Sequence, residues 1–193
     1  MAKEKSTIFA YYYFDFQDTA KRDLRGLLSS LLMQLSECSV SCWDVLCQLY
    51  STCRDGSEQP SEAALAGCLR NMLACAGHVP LYIVIDALDE CPITAGTPSP
   101  RRRVLDFLED LVGRKYPNLH ICITSRPEQD IQATLNPLTS PSYRLSLHDE
   151  IGQIEDIHNY IRFFVYSDEA MRRWSAEDQD LVINTLSERA GGM

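Results

Sequence analysis

No run of 18 apolar residues occurs anywhere in this 193-residue chain, so a helical membrane span is not expected. Positive charge is scarce. Eighteen Lys and Arg stand against 27 Asp and Glu, for a net charge of −9, and without a basic surface neither nucleic acid nor an anionic membrane is an expected partner. No C-x-x-C occurs among the eight cysteines, and no histidine stands near the densest group, Cys38, Cys42, Cys47 and Cys53, so a zinc site is not expected. A chain this long and apolar does not need disulfides, and free thiols without an export signal point to the cytoplasm. Lys3 and Lys5 ahead of Ile8–Phe14 resemble a signal peptide only in outline. The apolar run is short, rich in tyrosine and closed by Asp15, and no small-residue cleavage site follows. Internal repeats, low-complexity tracts and coiled-coil heptads are also missing.

What is present is a globular composition, 45% apolar, long enough for one domain or one domain with an incomplete second. Strand-like and helix-like stretches alternate. Residues 8–16 are aromatic and β-branched, as a strand requires. A helix follows over about 20–37, with Leu24, Leu27, Leu28, Leu31, Leu32 and Leu35 at steps of three and four. A shorter helix covers 40–50, with Trp43, Val45, Leu46 and Leu49 as its apolar set. A polar loop at 54–60 leads to a helix over about 61–76, capped by Ser61 and ended by Gly77. Strands are expected at 80–86, 119–124 and 143–147. Ser99-Pro100 starts a helix between the second and third strands, and 129–135 is a short helix. Residues 154–165, with Ile157, Tyr160, Ile161 and Phe164 inward, and 176–190, behind Ser175 and Asp178 as a capping-box variant, complete the set. Four strands separated by helices imply an α/β fold, a three-layer parallel sheet with helices on both faces.

The stretch Leu81-Tyr82-Ile83-Val84-Ile85-Asp86-Ala87-Leu88-Asp89-Glu90-Cys91 carries the chemistry. Its apolar run is short, β-branched and continuous, the pattern of a strand buried on both sides. Carboxylates at its end are costly at that depth unless they are paired or hold a metal, and the carboxyl ends of parallel strands are where ligands bind. A hydrophobic strand ending in aspartate is the Walker B pattern, whose aspartate holds a nucleotide's magnesium; the same residues also fit a buried strand whose carboxylates cap the next helix. The next strand ends in Thr124, Ser125 and Arg126, so neighbouring parallel strands place an arginine beside the acids. Arg101, Arg102 and Arg103 read as a solvated helix start, or as a contact for phosphate or a partner.

Leu81–Cys91 together with Ile121-Cys122-Ile123-Thr124-Ser125-Arg126-Pro127-Glu128 resembles the NACHT domain of STAND-class P-loop NTPases, most closely the fungal type described as nephrocystin-3-like N-terminal domains and often joined to ankyrin repeats. Ala10–Phe16, Leu27–Leu35, Asp156–Ile161 and Ala190–Met193 support the likeness. The resemblance implies residues 1–7 as a leader, 8–150 as a partial nucleotide-binding core and 151–193 as a helical extension. It implies Asp86 as magnesium ligand, Glu90 and Asp89 as the catalytic acids with Glu90 activating water, and Thr124, Ser125 and Arg126 as nucleotide contacts, Arg126 sensing phosphate. It implies Mg2+ with ATP or GTP, and signalling in immunity-like recognition or programmed cell death. The family's G-x-x-x-x-G-K-[ST] loop, whose amides and lysine cradle phosphates, occurs nowhere in the 193 residues, nor does the central strand that precedes it. The expectation is therefore a partial domain with little nucleotide binding or hydrolysis of its own. The alternatives are an interaction module, with NACHT-domain self-association, full-length relatives or repeat-domain proteins as its partners, and an active magnesium-dependent NTPase.

Overall fold

The computed structural model describes residues 7–75, 77, 79–94, 96–146 and 151–190, with the backbone alone at 151–154 and 190. The chain forms two compact units, Met1–Thr139 and Ser140–Met193. The first unit holds a sheet of three parallel strands in the order β1 (Ile8–Tyr13), β2 (Leu81–Asp86), β3 (Leu119–Ile123). The register sets Ile8 beside Leu81 beside Leu119, and Tyr12 beside Ile85 beside Ile123. Three helices, α1 (Leu24–Ser36), α2 (Val40–Thr52) and α3 (Glu62–Cys75), connect β1 to β2. Helix α4 (Pro100–Gly113) connects β2 to β3, and α5 (Gln129–Leu135) follows β3.

Local chemistry explains these boundaries. The helix expected from residue 20 starts instead at Leu24, because two aspartates compete for the role of cap. Asp18 accepts from Ala20 N–H and closes a short 3-10 turn at Thr19–Lys21, and Asp23 then accepts from Gly26 N–H at 2.8 Å to begin α1. Gly26 permits this, since a Cβ there would fall 2.1 Å from the Ala20 carbonyl oxygen. The leucine stripe of α1 is buried throughout. Ser99 and Pro100 open α4 as expected. In α2, Val45, Leu46 and Leu49 pack against the core, whereas Trp43 is 53% exposed and Cys42 is the buried residue.

Two expectations about the sheet are corrected. The first is the covering of both faces. Residues Ile8, Ala10, Tyr12, Leu81, Ile83 and Ile85 are buried in one cluster with α1, α3 and α4. The alternate residues form rows on the opposite face, Phe9–Tyr82–His120 and Tyr11–Val84–Cys122. Most of that face is open: Phe9 is 57%, Tyr11 56% and Tyr82 42% exposed, and His120 and Cys122 are exposed too. The unbroken apolar run of β2 hid this alternation, because tyrosine and valine occupy the open positions and a tyrosine hydroxyl tolerates water. Tyr82 and His120 stack there with ring centroids 4.7 Å apart.

The second is the strand expected at 143–147. Tyr143 closes a 3-10 turn that starts at Pro141, and Arg144–Ser146 join no ladder. Leu147 lies outside the described residues. Alternation makes a strand only where one face is buried, and here Tyr143 and Leu145 are each 84% exposed. The outer edge of β3 accordingly pairs with no strand among the described residues. The outer edge of β1 is treated differently. Gln34 of α1 accepts from Tyr11 N–H at 3.0 Å and donates to Tyr11 O at 2.7 Å, so one side-chain amide stands in for a neighbouring strand.

The second unit pairs α6 (Ile151–Ser167) with α7 (Ala176–Ala190). Asp168 caps the turn between them by accepting from Ala170 N–H and Met171 N–H. The expected capping-box variant forms, with Asp178 N–H donating to Ser175 Oγ at 3.2 Å and Ser175 Oγ donating back to the Asp178 carboxylate at 2.7 Å. The inward face of α6 is rotated from the expected one. Val165 is buried and Ile157 and Ile161 are half-buried, while Tyr160 and Phe164 are 69% and 50% exposed.

Candidate functional site

The parallel pairing of β2 with β3 brings Asp86 to Thr124. Thr124 N–H donates to Ile85 O at 2.9 Å, which extends the ladder by one step. Its hydroxyl then donates to Asp86 Oδ1 and accepts from Ala87 N–H. Ala87 has φ +53°, the left-handed conformation, and it turns the chain off the strand into a 3-10 turn at Leu88–Glu90. That conformation costs an alanine roughly 1–2 kcal/mol. It is held by Leu88 N–H on Thr124 O at 3.0 Å and by the Leu88 side chain, which is fully buried.

The turn sends its three acids to three different partners. Asp86 is exposed at the strand end and engaged through one oxygen by Thr124. Asp89, with a side chain only 12% exposed, accepts from Arg126 N–H at 3.0 Å and meets Arg126 Nε at 3.4 Å. Glu90 points toward the end of β1 and accepts from Phe16 N–H at 3.3 Å. The three acids therefore diverge, and among the described residues no three His, Cys, Asp or Glu side chains form a metal-holding group. Ser125 Oγ donates to the carbonyl of the next residue, Arg126 O, at 2.7 Å. The Arg126 side chain is 82% exposed, so its contact with Asp89 is screened and weak.

The donor set can be tested against a magnesium nucleotide. Magnesium keeps most of its waters and takes one or two carboxylates besides phosphate oxygens. An exposed, hydroxyl-oriented Asp86 fits one such ligand. Asp89 fits less well as a second, because one oxygen already accepts from Arg126 N–H and the other rests against the exposed Arg126 guanidinium.

The sequence did not reveal Arg101. A solvated or phosphate-reaching helix start was expected for the arginine triplet, yet Arg101 is only 6% exposed. Its Nε donates to Cys91 O at 2.8 Å, one terminal nitrogen donates to Asp89 O, and the other meets Asp130 at 3.3 Å. Arg102 pairs with Asp106, and one terminal nitrogen of Arg103 donates to both oxygens of Glu62 at 2.9 and 3.0 Å. The one sequence signal was the conflict between three cations and a helix N-terminus, which repels them. Beneath the turn, the fully buried Cys91 thiol donates to Arg22 O at 3.3 Å, and burial pushes its pKa up to about 12.

A cavity of about 170 Å3 lies elsewhere, between β1 and α1, lined by Tyr11–Tyr13, Ala20, Lys21, Gly26 and Ser30. Lys21 covers the Tyr13 ring at 4.1 Å, and the cavity lining includes none of the three acids.

Neither curated proteins nor solved structures give a match to this chain. A family model described as Nephrocystin 3, N-terminal matches residues 1–126. That span covers all three strands and ends on Arg126, so it takes in Asp86, Asp89, Glu90, Thr124, Ser125 and Arg126.

Proposed function

Because the chain belongs to the nephrocystin 3 N-terminal family, we propose that the β2–β3 corner is the metal side of a nucleotide site in a NACHT-type signalling domain, with little hydrolysis of its own. The observation that carries this is the Thr124 hydroxyl on Asp86, which joins a strand-end aspartate to the strand that bears Arg126. In this reading Asp86 is the magnesium ligand and Thr124 orients its carboxylate. Arg126, mostly exposed, is the residue that meets a terminal phosphate. Magnesium supplies charge neutralisation on the phosphates when bound. Slow turnover follows from the acids themselves: Asp89 is engaged by Arg126 and Glu90 by the Phe16 amide. Weak binding follows from the lack of a G-x-x-x-x-G-K-[ST] loop in these 193 residues.

Titration with fluorescent ATP and GTP analogues in magnesium tests this. The expected dissociation constant is roughly millimolar, about −4 kcal/mol, and Asp86→Asn weakens it further. Micromolar binding that ignores Asp86→Asn would sink the reading. A second reading, a non-catalytic module that pairs with other NACHT domains, is favoured by the open aromatic face and by an outer edge of β3 that meets no strand among the described residues. It predicts concentration-dependent association in sedimentation experiments run without nucleotide.

A further inference from the structure

Arg101 sits where its charge is least welcome. It stands in the first turn of α4, whose N-terminal dipole end repels cations, and burying an ion costs several kcal/mol unless it is fully hydrogen-bonded. Its position is explained by its acceptors. Two are backbone carbonyls of the acidic turn, Asp89 O and Cys91 O, and the third is the carboxylate of Asp130, in the first turn of α5. Asp130 lies four residues beyond Arg126, which itself reaches back to the Asp89 side chain. Two arginine–aspartate contacts therefore cross the corner in opposite directions. Arg126 runs from the segment after β3 to the turn after β2, and Arg101 fastens that turn to the helix that follows Arg126.

We infer that Arg101 is the positioning residue of this corner. Its planar fork fixes the carbonyls of the Leu88–Cys91 turn and so sets where the Asp89 carboxylate stands. That in turn fixes the resting place of Arg126. The inference rests on reading the corner as the functional site, but its physical content needs neither nucleotide nor metal. Lysine cannot replace this arginine, because an ammonium lacks the fork that reaches three acceptors at once.

Amide hydrogen exchange, read residue by residue in the full chain, tests it. In Arg101→Met, the Arg126 and Glu90 amides are expected to lose about tenfold or more in protection, the effect of an orphaned buried hydrogen-bond partner. Amides of the β1–β2 ladder should keep theirs. Arg101→Lys retains the cation and is expected to rescue folding but not Arg126 protection. The inference is overturned if Arg126 exchange is unchanged in Arg101→Lys, or if every amide in Arg101→Met loses protection by the same factor, which marks a purely structural residue. Because the readout is made without ligand, a failed nucleotide titration leaves this inference standing, and a failed exchange experiment leaves the nucleotide reading standing.

Discussion

Replacing Gln34 with alanine tests whether a single side-chain amide finishes the outer edge of β1. Two hydrogen bonds to Tyr11 disappear, one accepted at 3.0 Å and one donated at 2.7 Å, together with the contact to Ser30 Oγ at 3.0 Å. Each is worth about 0.5–1.5 kcal/mol net. Tyr11 is 56% exposed, so water replaces part of what is lost. The expected loss is about 1–2 kcal/mol, or roughly 2–8 °C in melting temperature for a chain of this size. Gln34→Glu is the sharper variant. Its carboxylate still accepts from Tyr11 N–H but sets a second acceptor against Tyr11 O, so it should lose about as much as alanine. Thermal unfolding gives the magnitude, and hydrogen exchange at the Tyr11 amide gives the location. An unchanged Tyr11 amide in Gln34→Ala would refute the edge-capping argument, whatever the melting temperatures.

Further outcomes follow from packing, burial and backbone conformation. Leu69→Ala, at a fully buried position on α3, should cost about 2–5 kcal/mol in denaturant unfolding. Toward a thiol reagent, the exposed Cys47, Cys75 and Cys122 should react first, and the buried Cys42, Cys68 and Cys91 only as the chain opens. Burial raises Cys68 to about 11 and Cys91 to about 12 from 9.0. Both thiols therefore stay neutral in the fold while the unfolded chain ionises, so stability is intact below about pH 9 and declines as pH rises toward 11–12, by roughly 1.4 kcal/mol per pH unit for each thiol. Cys91→Ala should flatten that decline in pH-resolved denaturation. At Ala87, with φ +53°, glycine should be neutral or stabilising by up to about 1 kcal/mol, whereas valine should cost about 2 kcal/mol.

Much of the element order was legible because capping and periodicity are local. Ser61 and Ser99 mark helix starts by accepting main-chain N–H groups, and the leucine stripe of α1 is buried as its spacing requires. The meeting of Asp86 with Thr124 was legible too, since it needs only that the two apolar strands be parallel neighbours. What failed was long-range. Nothing in Phe9, Tyr11 and Tyr82 separates an aromatic residue under a helix from one facing water. Tyr143–Ser146 alternates like a strand, but alternation does not supply the surface that would bury one side of it. The divergence of Asp89 and Glu90 depends on Arg126 and Phe16, which lie 37 and 74 residues away in sequence. Arg101 was hidden because a buried guanidinium and a solvated one look alike in sequence, and only the two carbonyls it reaches tell them apart.

The one-sided sheet divides the selective pressures on its strands. Ile8, Ala10, Leu81 and Ile83 hold the buried cluster together, while Phe9, Tyr11 and Tyr82 take no part in it. A substitution at the first set is judged by whether the chain folds, and one at the second by what rests against the finished protein. Drift among related chains should therefore record two histories, stability at one residue and contact at the next, interleaved along the same six-residue strands.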